Sequence, residues 1–161
     1  MKVREAMVTG VITAHPEETV RSVVQRMILR RCGAVPVVSH EGALIGIISV
    51  RDIMMPMFAQ YSDVFAEDVH AMNFEEMEEE YPHVLSFKAS QIMTTNPITV
   101  GPDDQVLKAA SVMGRMNLRR IPVTENGRLV GIVSVGDIHR TLYMHQDELE
   151  RRNTSTRSAA A

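Results

Sequence analysis

Two Ser-x-x-Asp pairs, Ser49 with Asp52 and Ser134 with Asp137, are the residues of this chain best suited to hold a small ligand. Each closes an apolar run, Gly46-Ile-Ile-Ser-Val-Arg-Asp52 or Gly131-Ile-Val-Ser-Val-Gly-Asp137, and a helical pattern follows. A carboxylate at the start of a helix can accept two hydroxyl hydrogen bonds, as the 2′- and 3′-hydroxyls of a ribose offer. A serine hydroxyl three residues earlier, at a strand end, reaches the same sugar or a phosphate. A structural reading competes. Ser49 and Ser134 also suit helix N-caps, with each Asp steadying the first turn.

Other candidates are weaker. Gly131-x4-Gly136 has P-loop glycine spacing, but Asp137-Ile138 follow where Lys and Ser/Thr are required. His139 and His145 do not share a helical face and lack a third ligand. His70 and His83 sit among acids without metal-ligand spacing, which suits a solvated acidic helix. Met54, Met55 and Met57 read as core or dimer packing rather than soft-metal ligands. Cys32, the one cysteine, can form neither an internal disulfide nor a thiol-based zinc site alone, so a reducing compartment is expected. No Ser/His/Asp or Cys/His constellation stands out. The chain is therefore read as non-catalytic, with no metal site and no required cofactor.

The elements that position the two pairs form a repeat. Met7, Thr13, Pro16 and Val20 match Met93, Thr99, Pro102 and Val106 at a shift of 86 residues, which persists to Pro36-Val37 against Pro122-Val123. One residue is then lost at a turn. Gly42, Leu44, Gly46, Ser49, Asp52 and Ile53 match Gly127, Leu129, Gly131, Ser134, Asp137 and Ile138 at a shift of 85. Within each half, apolar residues at helical spacing (Val20, Val23, Val24, Met27, Ile28; Val106, Leu107, Ala110, Val112, Met113, Met116) follow a proline and acids. Paired β-rich runs come next, 34–38 with 43–50 and 121–124 with 129–135, the second pair joined by Asn126-Gly127. Short first strands are predicted near Val11-Ile12 and Pro97-Ile98. Each half then reads β-α-β-β-α, an α+β class, and two halves of about fifty residues need a shared core.

Composition agrees. The 161 residues are 45% apolar and 23% charged, as in a globular domain, with aromatics at 4%. The longest apolar stretch, 43–50, is far short of the ~20 residues of a membrane span. The opening MKVREAMVTG lacks the apolar core of a secretory signal, and a cytoplasmic protein is expected. Residues 62–87 hold eight acids and no Lys or Arg, leaving seventeen bases against twelve acids elsewhere. A mildly basic body with an acidic insert suits a small anionic ligand better than a nucleic-acid track.

The order Met, strand, Pro, helix, x-x-Pro-Val, Gly-φ-φ-Ser-x-x-Asp (φ apolar) resembles the CBS domain, present twice as a Bateman pair over about 2–58 and 88–147. The resemblance implies two repeats packed as a pseudo-two-fold pair. The division is 1–61 and 88–150 for the repeats, 62–87 for a mostly helical acidic insert, and 151–161 for a disordered tail. It also implies a nucleotide in clefts between the repeats. One site would combine Ile47, Ser49 and Asp52 with Pro97, Ile98, Arg120, Ile121 and Pro122. The other would combine Ile132, Ser134 and Asp137 with Gly10, Val11, Ala34, Val35 and Pro36. Apolar residues would sandwich the base, and backbone beside each proline would read its edge. Arg119, Arg120 and Arg51, where the other repeat has Gly33, Ala34 and Gly136, are the phosphate candidates.

These implications make the chain a regulatory sensor of an adenine-containing ligand (AMP, ADP, ATP, S-adenosylmethionine or NAD). It is expected to be a homodimer, joined through the helical faces at 20–28 and 106–116. The alternatives are a protein-interaction module with vestigial sites, or the regulatory fragment of a larger enzyme or transporter. The insert carries an apolar stripe (Phe65, Val69, Met72, Phe74, Met77, Tyr81, Leu85), expected to dock on the body, the other protomer or a protein partner.

Overall fold

The computed structural model describes residues 1–58 and 73–159. It divides into two compact units that cut across the sequence repeats. One is Val11–Pro97; the other joins Met1–Gly10 to Ile98–Ala161.

In the Val11–Pro97 unit, α1 (Val20–Arg30) begins where Thr19 Oγ1 accepts the Ser22 N–H at 3.3 Å. It buries Val20, Val23 and Met27 and ends at Arg31, which takes a left-handed φ of 50°. Strand β1 (Ala34–Val38) is buried throughout and pairs antiparallel with β2 (Leu44–Ser49), with Ala34 opposite Ser49 and Pro36 opposite Ile47. Then come α2 (Val50–Phe58), α3 (Phe74–Glu79), α4 (Tyr81–Ser86) and α5 (Ala89–Ile92), and β3 (Thr94–Thr95) pairs with the free edge of β2. The core gathers Val20, Val23, Met27, Val35, Val37, Ile48, Ile53 and Met57.

The other unit repeats this plan. Helix α6 (Val106–Arg115), the hairpin of β4 (Arg120–Glu125) and β5 (Arg128–Ser134), and α7 (Val135–Ala159) close over Val106, Met113, Ile121, Val123, Val133 and Ile138. Asn126 and Gly127 both have positive φ, as the two-residue hairpin turn requires.

Two expectations change, at the first strands and in the insert stripe. The first strands near Val11-Ile12 and Pro97-Ile98 do not form. Each repeat makes only a single parallel bridge, Ala14 to Val37 or Val100 to Val123. Pro97 has no N–H to give a ladder in the second repeat, and Pro16 and Pro102 limit each bridge's extension toward the following helix. Helix α7 continues to Ala159, because no Gly or Pro follows Gly136 to stop it. In the insert, Phe74 leaves the apolar stripe and is 52% exposed, whereas Met77, Val84 and Leu85 are buried. Val84 and Leu85 join the core beside α1 and α2. Phe65, Val69, Met72 and His70 lie outside the described residues. Finally, the leading segment of each repeat packs with the body of the other repeat: Val8 bridges Ile132, and Thr94 pairs with Ile47. Among the described residues, no helix is long and apolar enough to cross a membrane.

Glycine makes these pairings possible. A Cβ built on Gly131 would lie 2.9 Å from the Val8 carbonyl oxygen and 3.0 Å from Met7 Sδ. On Gly46 it would lie 2.6 Å from Met93 Sδ and 3.1 Å from the Thr94 carbonyl oxygen. Met7 and Met93, equivalent in sequence, thus lie on equivalent glycines. Gly131→Ala is expected to lower unfolding stability by about 1–3 kcal/mol, because backbone must move. Gly46→Ala, whose nearest obstacle is a flexible thioether, should cost less, and Met93→Ala should recover part of that loss. Urea denaturation of Gly131→Ala, Gly46→Ala, Met93→Ala and the Gly46→Ala/Met93→Ala double variant checks this; a Gly131→Ala protein as stable as the parent would contradict it.

Candidate functional site

Each Ser-x-x-Asp pair sits where a strand turns into a helix. Ser49 is the last residue of β2, and Asp52 lies in the first turn of α2. Asp52 Oδ2 accepts the Ser49 N–H at 2.7 Å and the Ser49 hydroxyl at 2.5 Å, while the Asp52 N–H donates to Ser49 Oγ at 3.3 Å. In the other unit, Asp137 Oδ2 accepts the Ser134 N–H at 3.0 Å and hydroxyl at 2.5 Å, and the Asp137 N–H returns to Ser134 Oγ at 3.1 Å. This reciprocal pattern satisfies amides that a helix start leaves open. The N-cap reading is therefore correct, but it occupies only one oxygen of each carboxylate.

The second oxygens differ. Thr94 Oγ1 donates to Asp52 Oδ1 at 3.2 Å. The residue equivalent to Thr94 is Val8, which has no hydroxyl to give. Among the described residues, Asp137 Oδ1 has only Arg140 near it, at 3.6 Å; that arginine side chain is 74% exposed while the Asp137 side chain is 16% exposed. Asp137 therefore keeps an acceptor oxygen in a sheltered position, whereas Asp52 has part of its capacity filled. Sequence reading missed Thr94, although the Thr94–Val8 difference stands in the repeat alignment.

The basic residues are unequal too. Arg120 lies opposite Ser134 in the β4–β5 ladder, and the Arg119 carbonyl accepts the Val135 N–H at 3.2 Å. The matching places hold Ala34, opposite Ser49, and Gly33, whose carbonyl accepts the Val50 N–H at 3.1 Å. Two guanidinium groups thus belong to the strand end that carries Ser134 and Asp137. Among the described residues, Arg119, Arg120 and Arg51 form no ion pair; Arg51 is exposed at the start of α2.

Ile47, Ser49, Asp52 and Pro97, with Val11, Ala34, Val35 and Pro36, belong to the Val11–Pro97 unit. Ile98, Arg120, Ile121, Pro122, Ile132, Ser134, Asp137 and Gly10 belong to the other. Val35 and Ile121 have no exposed surface, so neither side chain can face a base, and only their backbone could read one. Ile98, at 37% exposed, and the half-buried Ile47, Ile132 and Val11 remain open to apolar contact. Sequence reading also missed a cluster of His15, Glu17 and His40, whose ligand atoms lie within 4.8 Å of one another. Their separation in sequence hides it.

Comparison with known proteins places this geometry. The CBS domain family model matches twice, at residues 3–57 and 89–143. The CBS domain-containing protein YhcV of Bacillus subtilis is 29% identical over 136 residues, spanning 84% of this chain and 81% of its own. The crystal structure of CBSX2 in complex with AMP superposes with a TM-score of 0.70 at 19% identity, covering 90% of this chain and 98% of that one. The CBS domain pair of MJ0100, in complex with 5′-methylthioadenosine and S-adenosyl-L-methionine, gives 0.67 at 24% identity, covering 91% and 98%. At these identities the two structures establish the fold.

The cap makes a separable prediction. Ser134→Ala should lower unfolding stability by about 1 kcal/mol. Adding Asp137→Ala should cost much less than its single-variant effect, because both residues serve one reciprocal pair. Denaturation of the two singles and the double tests this; strictly additive losses would contradict it.

Proposed function

The chain belongs to the CBS-domain family, and on that premise we propose that it is a non-catalytic regulatory module that binds an adenine nucleotide through Asp137. The observation that carries this reading is the division of labour in the Asp137 carboxylate. Oδ2 is held by Ser134, and Oδ1 is left as an acceptor for a ribose hydroxyl. Arg120 and Arg119, on the same strand end, supply the charge a phosphate needs, and guanidinium groups match phosphate oxygens in pairs. Ile132 and Ile98 offer apolar surface for the base. The adenosine compounds held by CBSX2 and MJ0100 agree with this ligand class. The Asp52 pair, with Thr94 already on its second oxygen and no matching arginines, is the weaker site.

Binding is proposed to act through association of two copies. On the helices of the Asp137 unit, Leu107, Tyr143 and Met144, with Met116 just past the end of α6, are each more than half exposed, an apolar surface that a second copy would cover. Cys32 suits a reducing cytoplasm.

Calorimetric titration of AMP, ATP and adenosine at one salt concentration tests the reading. Asp137→Ala should lose charge-assisted hydrogen bonds worth about 1.5–3 kcal/mol, or roughly ten- to hundredfold in affinity. Asp52→Ala should change affinity by less than about threefold. Arg120→Ala should weaken ATP but leave adenosine unchanged. Undiminished binding in Asp137→Ala would overturn the assignment.

A further inference from the structure

We infer that His15, Glu17 and His40 form a surface site for a borderline divalent cation of the Zn²⁺ class. The backbone that carries the two histidines is fixed by hydrogen bonds on either side of them. The Ala14 N–H donates to the Pro36 carbonyl and its own carbonyl accepts the Val38 N–H, both at 2.9 Å, so His15 leaves from a chain pinned to β1. His40 projects from the β1–β2 turn, closed by the Ser39 N–H to Ala43 and the Gly42 N–H to Ser39, again at 2.9 Å. The rings stack with centroids 4.8 Å apart and planes 18° apart. His15 Nδ1 lies 3.1 Å from the Val38 carbonyl oxygen. A carbonyl can only accept, so in the neutral ring this contact puts the proton on Nδ1 and leaves the Nε2 lone pair for a ligand. Metal-binding histidines are oriented in this way. Glu17 Oε1 lies 3.0 Å from His40 Nε2.

Donor chemistry selects the ion. Two imidazoles and one carboxylate suit zinc and its neighbours, whereas magnesium and calcium prefer all-oxygen sites. Tetrahedral zinc needs donor atoms roughly 3.3 Å apart. The side chains of Glu17 and His40, 53% and 74% exposed, are free to rotate and close the remaining gap. Three protein ligands leave one position for water. Glu41 places a further carboxylate on the same turn.

The second repeat serves as an internal control. Its equivalent turn is built the same way: the Gly101 N–H donates to Asp104 Oδ2 at 2.8 Å, as the His15 N–H donates to Glu18 Oε1 at 2.8 Å. Glu18 is otherwise committed to Arg26 and to the Ser22 hydroxyl. The fold thus uses Glu18 and Asp104. The equivalents of His15 and Glu17 are Gly101 and Asp103, with Asn126 at the hairpin turn, and Asp103 pairs with Lys2 and Arg4. Nothing in the repeat's architecture requires the trio. An exposed Glu17–His40 pair alone contributes little to stability and has no use for His15.

The test titrates ZnCl₂ into the full chain at about pH 7.5, where imidazole is neutral, by competition with a chromophoric chelator. One ion per chain is expected, with a Kd at or below about 10 μM. His15→Ala, Glu17→Gln and His40→Gln should each weaken it by at least about tenfold, a loss that even outer-sphere partners can cause. A variant lacking His83, His139 and His145 should bind as the parent does. On zinc addition, the imidazole NMR signals of His15 and His40 should move together. His40 is an exposed turn residue, so His40→Gln keeps the test valid if His15→Ala does not fold. Unchanged affinity in Glu17→Gln and His40→Gln, or binding weaker than about 1 mM, would overturn the inference.

Discussion

The absence of a side chain at Gly46 and Gly131 is the constraint on which the rest of each unit depends. A methyl group at either position would run into a methionine sulfur and a carbonyl oxygen of the segment crossing it. Because both are glycine, residues 7 and 8 lie on β5, and residues 93 and 94 lie on β2. Interiors are packed densely enough that even one extra methyl is felt, so this is a stringent condition. It also decides what stands beside each aspartate: Thr94 against Asp52, and Val8 beside Ile132 in the unit of Asp137.

In the proposed reading, the cap and the ligand group are one carboxylate with two oxygens. Hydrogen bonds from Ser49 or Ser134 fix Oδ2 and with it the rotamer of the side chain. The remaining oxygen is oriented before any ligand arrives, which lowers the ordering cost of binding. The duplicated motif is symmetric in sequence, but its surroundings are not. A threonine in place of valine, and alanine and glycine in place of two arginines, separate a partly satisfied carboxylate from an open, cation-flanked one. On the proposed function, that asymmetry favours one strong site over two equal ones.

Much of this was legible in the residues. The repeat, both hairpins, the helices beginning at Val20 and Val106 and the Ser-x-x-Asp junctions follow from local signals: periodicity, prolines, and Asn126-Gly127. The crossing of the leading segments was not legible. A repeat alignment pairs Met7 with Met93 but carries no information on which body each packs against. The His15–Glu17–His40 cluster was hidden for the same reason, since strand β1 intervenes between its members. Val35 and Ile121 have no exposed side-chain surface, which leaves the backbone beside Pro36 and Pro122 as the part of these strands that could read a base edge.

The most direct test of the account is a crystal structure of the protein grown with saturating AMP. The account predicts ribose hydroxyl oxygens within hydrogen-bond distance of Asp137 Oδ1, roughly 2.5–3.0 Å, while Ser134 still donates to Oδ2. It further predicts the phosphate on the Arg120 side of Ser134. A nucleotide whose ribose is held by Asp52 alone, with Asp137 Oδ1 making no contact to the sugar, would contradict it.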